Sequence, residues 1–174
     1  ALIKDRSVPP IVGDSNVVGL YVDGVAVFGN SEKGVNEAVS KLKEKMDAVG
    51  LVCRDIEPAA DVQTLIGLDM HARTGAIRVS AKRAWRLRLA LLHLLEVGHC
   101  TGHQARQLMG HSTWCALIRR PALALGGAVY RFIELVGPRR VSLPRQVRRE
   151  LRWMAALLPL MRADAKKRWA PLLL

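Results

Sequence analysis

Short apolar runs early in the chain give way to apolar positions at helical spacing later. Val17-Val-Gly-Leu-Tyr21 and Val25-Ala-Val-Phe28 are short apolar runs joined through Asp23-Gly24. Asp-Gly between two such runs is a strong hairpin signal, because a type I′ turn needs positive φ at both central residues. The pattern predicts strands over about 17–23 and 24–29. After Gly29-Asn-Ser31, the residues Val35, Ala38, Val39, Leu42, Met46 and Val49 recur at helical spacing. Ser31 can cap that helix and Gly50 can end it, which places it over about 32–48. Leu51-Val-Cys-Arg54 reads as a short strand, 62–69 as another, and Ala76–Ser80 as its hairpin partner.

Beyond Ser80 every signal is helical. Ser80 opens a helix to about Val97, and Thr101-Gly-His-Gln104, with capping-box form, opens a second to about Arg119. Pro121 opens a third to about Leu135. After the Gly137-Pro138 break, Ser142-Leu-Pro144 opens a fourth to about Leu158. The expected fold class is α+β. A small antiparallel sheet with one packed helix occupies residues 1–80, and an all-α lobe of about four helices occupies 81–174.

A chain of 174 residues, half of them hydrophobic, can build a sizeable core. No apolar run reaches the roughly 18 residues that span a bilayer, so no membrane partner is expected. The opening Ala1-Leu-Ile-Lys-Asp-Arg6 lacks the apolar core of a signal peptide, and the missing initiator Met suggests a fragment. Three widely spaced cysteines argue against a disulfide framework and for a reducing, intracellular setting, nucleus and cytoplasm being equally open.

Charge sharpens the picture. Residues 1–70 carry 7 Lys and Arg against 11 Asp and Glu, a net of −4, whereas residues 71–174 carry 20 against 4, a net of +16. Such a lobe repels itself unless a polyanion is present, and nucleic acid is the usual one; an arginine-rich solvated surface is the plainer alternative. Lys82, Arg83, Arg86 and Arg88 flank Trp85. Arg145, Arg148, Arg149 and Arg152 recur at i, i+3, i+4 and i+7, which places four guanidinium groups on one helical face, suited to phosphates rather than to base edges.

Other candidate chemistry is thinner. His99, Cys100, His103, His111 and Cys115 crowd together, but their spacing matches no structural zinc pattern, and packing or capping accounts for them. Trp85, Trp114, Trp153 and Trp169 read as core or half-buried anchors rather than base-stacking platforms. Asp14 belongs to a Gly-Asp-Ser-Asn turn. Asp23 alone would be an ordinary turn residue, but a hairpin tip also holds a carboxylate rigidly enough for metal-dependent phosphoryl transfer.

The order of these features resembles the second half of a reverse transcriptase palm with the thumb behind it. Tyr21-Val-Asp-Gly24 lies where that family carries Tyr-x-Asp-Asp, and Gly50-Leu51 is similar to the strand start after its next helix. Leu65-Ile-Gly67 is similar to the Phe-Leu-Gly hairpin that grips the primer end. Leu108-Met-Gly-His111, Thr113-Trp114, Arg119-Arg-Pro121 and Tyr130-Arg-Phe132 resemble the thumb and connection of retrotransposon enzymes of the long-terminal-repeat and tyrosine-recombinase kinds. Glu150-Leu-Arg-Trp153 and Leu157-Leu-Pro-Leu160 fit the stretch before their RNase H domain.

The resemblance implies a palm-like sheet followed by a thumb and connection. It implies that Asp23 binds catalytic Mg2+, that Tyr21 supports it near the primer end, and that Leu65, Ile66 and Gly67 position that end. The basic lobe would then grip a template–primer duplex through its backbone. Gly24 stands where the family has its second acid, and the strand with the first palm acid is missing from this sequence. The expectation is therefore an RNA-directed DNA polymerase fragment that does not polymerise alone. The rivals are a non-catalytic basic nucleic-acid-binding helical module or degenerate relic, and a small helical interaction domain.

Overall fold

The computed structural model describes residues 16–21 and 24–167. Asp23 and Trp169 lie outside the described residues, as does Asp14. By packing, the chain divides into a unit that ends at Gln63 and a unit that begins at Thr64.

In the first unit, β1 (Val17–Tyr21) pairs antiparallel with β2 (Gly24–Phe28). The register sets Val17 opposite Phe28 and Tyr21 opposite Gly24. Gly24 is therefore the first paired residue of β2 and not part of the connection, contrary to the Asp23-Gly24 turn expected from sequence. A turn centred on 23 and 24 would set Val17 opposite Asn30. The observed register matches the two apolar runs along their whole length.

Helix α1 (Glu32–Ala48) falls where its periodicity places it. The Ser31 hydroxyl accepts from the Gly34 N–H at 3.1 Å, and Glu32 and Lys45 sit at the ends that the helix dipole favours. Val35, Ala38, Val39, Leu42 and Met46 form its half-buried side. At the other end the Leu51 N–H donates to Met46 O at 2.9 Å and the Gly50 N–H to Asp47 O at 3.0 Å, with Gly50 at φ 79°. This is a Schellman closure. It uses the Leu51 N–H, and the strand expected over 51–54 does not form; Val52 is 78% exposed in an irregular segment.

The stretch 62–69, expected as one strand, folds back on itself as β3 (Val62–Leu65) and β4 (Leu68–His71). Ile66 and Gly67 between them have φ of 47° and 77°, the positive pair that a type I′ turn requires. β4 pairs with β5 (Ala76–Val79), Leu68 lying opposite Val79. β5 then pairs with β8 (Arg162–Asp164), giving the sheet order β3-β4-β5-β8. This last pairing ties the sheet to the C-terminal end of the helical region, and the packing division falls within β3.

Four helices accompany that sheet: α2 (Ala81–Val97), α3 (Gly102–Ala116), α4 (Gly127–Val136) and α5 (Arg145–Leu157). Thr101 and Gln104 form the expected capping box, with the Gln104 N–H on Thr101 Oγ1 at 3.2 Å and the Thr101 N–H on Gln104 Oε1 at 3.0 Å. α3 stops at Ala116, and a 3-10 stretch over Leu117–Ala124 contains Pro121, so the next helix opens six residues later than expected. Proline removes one backbone donor and restricts the residue before it, which disfavours regular α-helix here. Between the helices, β6 (His99–Cys100) pairs with β7 (Val141–Ser142).

Leu87, Leu91 and Leu94 of α2 meet Val147, Leu151 and Met154 of α5 and Val129, Phe132 and Ile133 of α4 in one core. Each such side chain contributes on the order of 1.5–3 kcal/mol by leaving water. The fold is therefore α+β, with small antiparallel sheets and five α-helices among the described residues. No described helix is long and apolar enough to cross a membrane.

Candidate nucleic-acid interface

The β3–β4 turn rests on the first turns of the helical region. Gly67 O accepts from the Ser80 N–H at 3.0 Å, fixing the tip beside the start of α2. One helical turn on, the Arg83 guanidinium lies 3.9 Å from the centre of the Trp114 ring. A Cβ at Gly67 would meet that guanidinium at 2.7 Å and the Trp114 ring edge at 3.6 Å. Leu65–Gly67 and Arg83 are thus brought together, with Trp114 as the platform between them. Ile66 is 44% exposed at this tip. A β-branched residue in the left-handed region is strained, a situation found most often at functional sites.

The four arginines of α5 do not act as one set. Arg145, Arg149 and Arg152 are exposed and spaced i, i+4, i+7. Arg148 turns inward, where its Nε donates to Leu143 O at 3.0 Å and its Nη2 to Gly98 O at 3.2 Å. The sequence expectation of four guanidinium groups on one exposed helical face is corrected to three. On α2, Lys82 and Arg86 are exposed, whereas Arg83 is half-buried in its stack on Trp114. The ion pairs Lys33–Glu37 and Lys43–Asp47 both belong to α1. Among the described residues, Lys82, Arg86, Arg145, Arg149 and Arg152 make no ion pair.

Two acids of this region are engaged internally, whereas Glu96 and Glu134 are exposed. Both Glu150 carboxylate oxygens accept from the Ala128 N–H, at 3.1 and 2.9 Å, and one also accepts from the Val129 N–H at 3.1 Å. The carboxylate thereby caps the N-terminus of α4, where the helix dipole favours negative charge. Asp164 Oδ1 accepts from the Lys166 N–H at 2.9 Å. Neither cap was visible in sequence. The nearest signal was Gly126-Gly127 in place of a capping side chain before an apolar helix.

Two tryptophans depart from the anchor role expected of them. Trp85 is 57% exposed with Arg88 5.8 Å from its ring, and Trp153 is 47% exposed with Arg149 at 5.2 Å. Exposed rings next to guanidinium groups suit the faces of bases and sugars as well as phosphates.

Tyr21 takes part in β1 through its backbone pairing with Gly24. The Mg2+ site expected at Asp23 has no partner carboxylate at Gly24. Among the described residues no group of three or more His, Cys, Asp or Glu side chains could hold a metal ion. The His and Cys residues between 99 and 115 serve other ends. Cys100 and Cys115 are fully buried, and burial pushes both thiols up from their ordinary range. His99 Nδ1 donates to Val97 O at 2.7 Å. Comparison with protein-family models, with curated proteins and with solved structures finds no match to this chain.

Proposed function

We infer that the unit beginning at Thr64 is a nucleic-acid-binding lobe, the thumb-like part of a retroelement RNA-directed DNA polymerase fragment. The observation that carries this reading is the exposed stripe Arg145, Arg149, Arg152 on α5, which no described acid neutralises. Guanidinium groups at this spacing bind phosphates and fix position without reading sequence. The hairpin tip at Leu65–Gly67, seated on Arg83 and Trp114, supports the same reading, since a primer-gripping hairpin must adjoin the thumb. The β1–β2 hairpin would be the palm landmark. Asp23 would contribute one carboxylate toward Mg2+ in an intact enzyme and Tyr21 would lie near the primer end. Gly24 supplies no second carboxylate, so this chain alone does not polymerise.

The test is fluorescence anisotropy of a primed RNA–DNA template over a salt series, with primer extension in Mg2+ alongside. Affinity should fall steeply as salt rises, since each phosphate contact released adds about one to the slope of log affinity against log salt. A flat response would sink the reading. Templated incorporation above background would overturn the claim of inactivity. A second reading, a non-catalytic basic module, is favoured by the absence of a carboxylate at Gly24. It predicts equal affinity for primed and unprimed duplexes, whereas the thumb reading predicts a preference for the primed end.

A further inference from the structure

We propose that the cleft between α2, β6 and α3 is a binding site for a phosphate group. The cleft is an open surface groove of about 560 Å³, with His93, His111, Gln104, Gln107 and Arg140 exposed along it. Three of the five histidines of the chain line it, each from a different element: His93 from α2, His99 from β6 and His111 from α3. Arg140 from the link after α4 and the side-chain amides of Gln104 and Gln107 complete its polar wall. Leu94, Val97 and Leu108 give it an apolar side, which suits an organic phosphate monoester better than a bare ion.

The polarity of this wall runs in one direction. Arg140 offers a planar set of donors that matches a phosphate. His99 has Nδ1 committed to Val97 O, which leaves its Nε2 as the free ring nitrogen. No carboxylate lines the cleft. Glu96 is the one acid on α2, β6, α3 and the 137–142 link, and it is exposed to the side. The other charged or titratable groups on these elements stand elsewhere. His103 bonds Gln107 Nε2 at 3.2 Å, Arg106 is exposed, and Arg139 donates to Leu135 O at 3.3 Å. The Cys100 thiol is buried, with the Arg140 charge opposing the effect of that burial. From α5, Arg148 is held by Gly98 O and Leu143 O.

The phosphate could be the 5′ end of a nucleic-acid strand or a free nucleotide, and the probes separate the two. The full chain is titrated with sulfate, inorganic phosphate, a nucleoside 5′-monophosphate, and one short strand with and without a 5′-phosphate. The imidazole NMR signals are followed throughout. The signals of His93, His99 and His111 should move together with one saturable affinity. Arg140→Gln should weaken binding about fivefold or more, and Arg139→Gln less than about twofold. Tighter binding of the phosphorylated strand than of its hydroxyl form, lost in Arg140→Gln, assigns the site to strand ends. Equal binding of the two strands with retained nucleotide binding assigns it to a free ligand. Parallel movement of His71, or equal losses in the two arginine variants, would overturn the proposal. The site stands apart from the duplex reading: a primed duplex with hydroxyl ends that fails to bind would sink that reading and leave the cleft intact.

Discussion

The Arg148 guanidinium donates to the Gly98 carbonyl across fifty residues of sequence, at 3.2 Å, and so fastens the end of α2 to the first turns of α5. Its second bond, to Leu143 O, closes the same corner. Arg148→Ala should therefore destabilise the chain by roughly 1–3 kcal/mol, because two charge-assisted bonds to partly buried carbonyls are lost, although Gly98 O keeps the Leu143 N–H as a donor. Arg145→Ala, Arg149→Ala and Arg152→Ala should stay within about 0.5 kcal/mol of the parent in urea unfolding. In duplex binding the order should reverse. Each of the three exposed arginines should lower the salt slope by about one when removed, with little dependence on sequence. Equal stability losses in all four variants would show that the stripe is structural throughout.

Ile66 and Gly67 make a second pair of opposites. Both have positive φ, but glycine adopts that region freely and isoleucine does not. Ile66→Asn should stabilise by up to about 1 kcal/mol, because asparagine tolerates the left-handed region. Gly67→Ala should destabilise by about 1 kcal/mol or more, since its Cβ also collides with the Arg83 guanidinium. Thermal unfolding reads both. If the tip touches a primer end, Ile66→Asn will gain stability while losing affinity for primed duplex, and an unchanged affinity would remove Ile66 from the interface.

What could be read from sequence was whatever local pattern decides. The α1 face, the Ser31 cap and the Thr101–Gln104 box are set by residues within one turn of each other, and all formed where expected. The losses came where a distant partner decides. Arg-Ala-Asp at 162–164 carries no strand signal and becomes β8 only because β5 offers an edge. Arg148 shares a helical face with Arg145 and Arg152 by spacing, yet the Gly98 carbonyl turns it inward. Leu51 reads as a strand start until the cap of α1 takes its N–H. The hairpin register failed by the narrowest margin, since Asp23-Gly24 is a good turn pair and only the match of Val17 with Phe28 overrules it.

Gly102 approaches the end of α4 more closely than any side chain allows. Its N–H donates to Gly137 O at 2.8 Å, and a Cβ would stand 2.7 Å from that oxygen and 2.8 Å from Ile133 O. These are backbone atoms and cannot rotate away. Gly102→Ala should destabilise by roughly 1–3 kcal/mol through overpacking, despite the better helix propensity of alanine. Gly110 lies on the same helix with nothing near a Cβ, so Gly110→Ala should stabilise by about 0.5–1 kcal/mol. Opposite signs from the same substitution, measured by urea unfolding, would verify the close approach. A neutral Gly102→Ala would show that α3 and α4 are spaced more widely.

The buried thiols set a limit on alkaline stability. Burial raises Cys100 and Cys115 above the ordinary value of 9.0, and the nearby charges of Arg140 and Arg83 oppose that effect without cancelling it. The folded chain therefore keeps these protons to higher pH than the unfolded chain does. Their contribution to stability is fully present below the unfolded thiol range and is lost as pH rises through about 9 and on toward the folded values. The urea midpoint should accordingly fall between pH 8 and pH 10. The fall should be smaller in a Cys100→Ala, Cys115→Ala double variant, whatever its starting stability. Cys53, half-buried with its thiol 3.2 Å from Met46 Sδ, should react with a thiol reagent well before the other two at pH 8. Rapid labelling of all three in the folded chain would mean that the α2–α5 core opens readily, and the expected loss with pH would then have another cause.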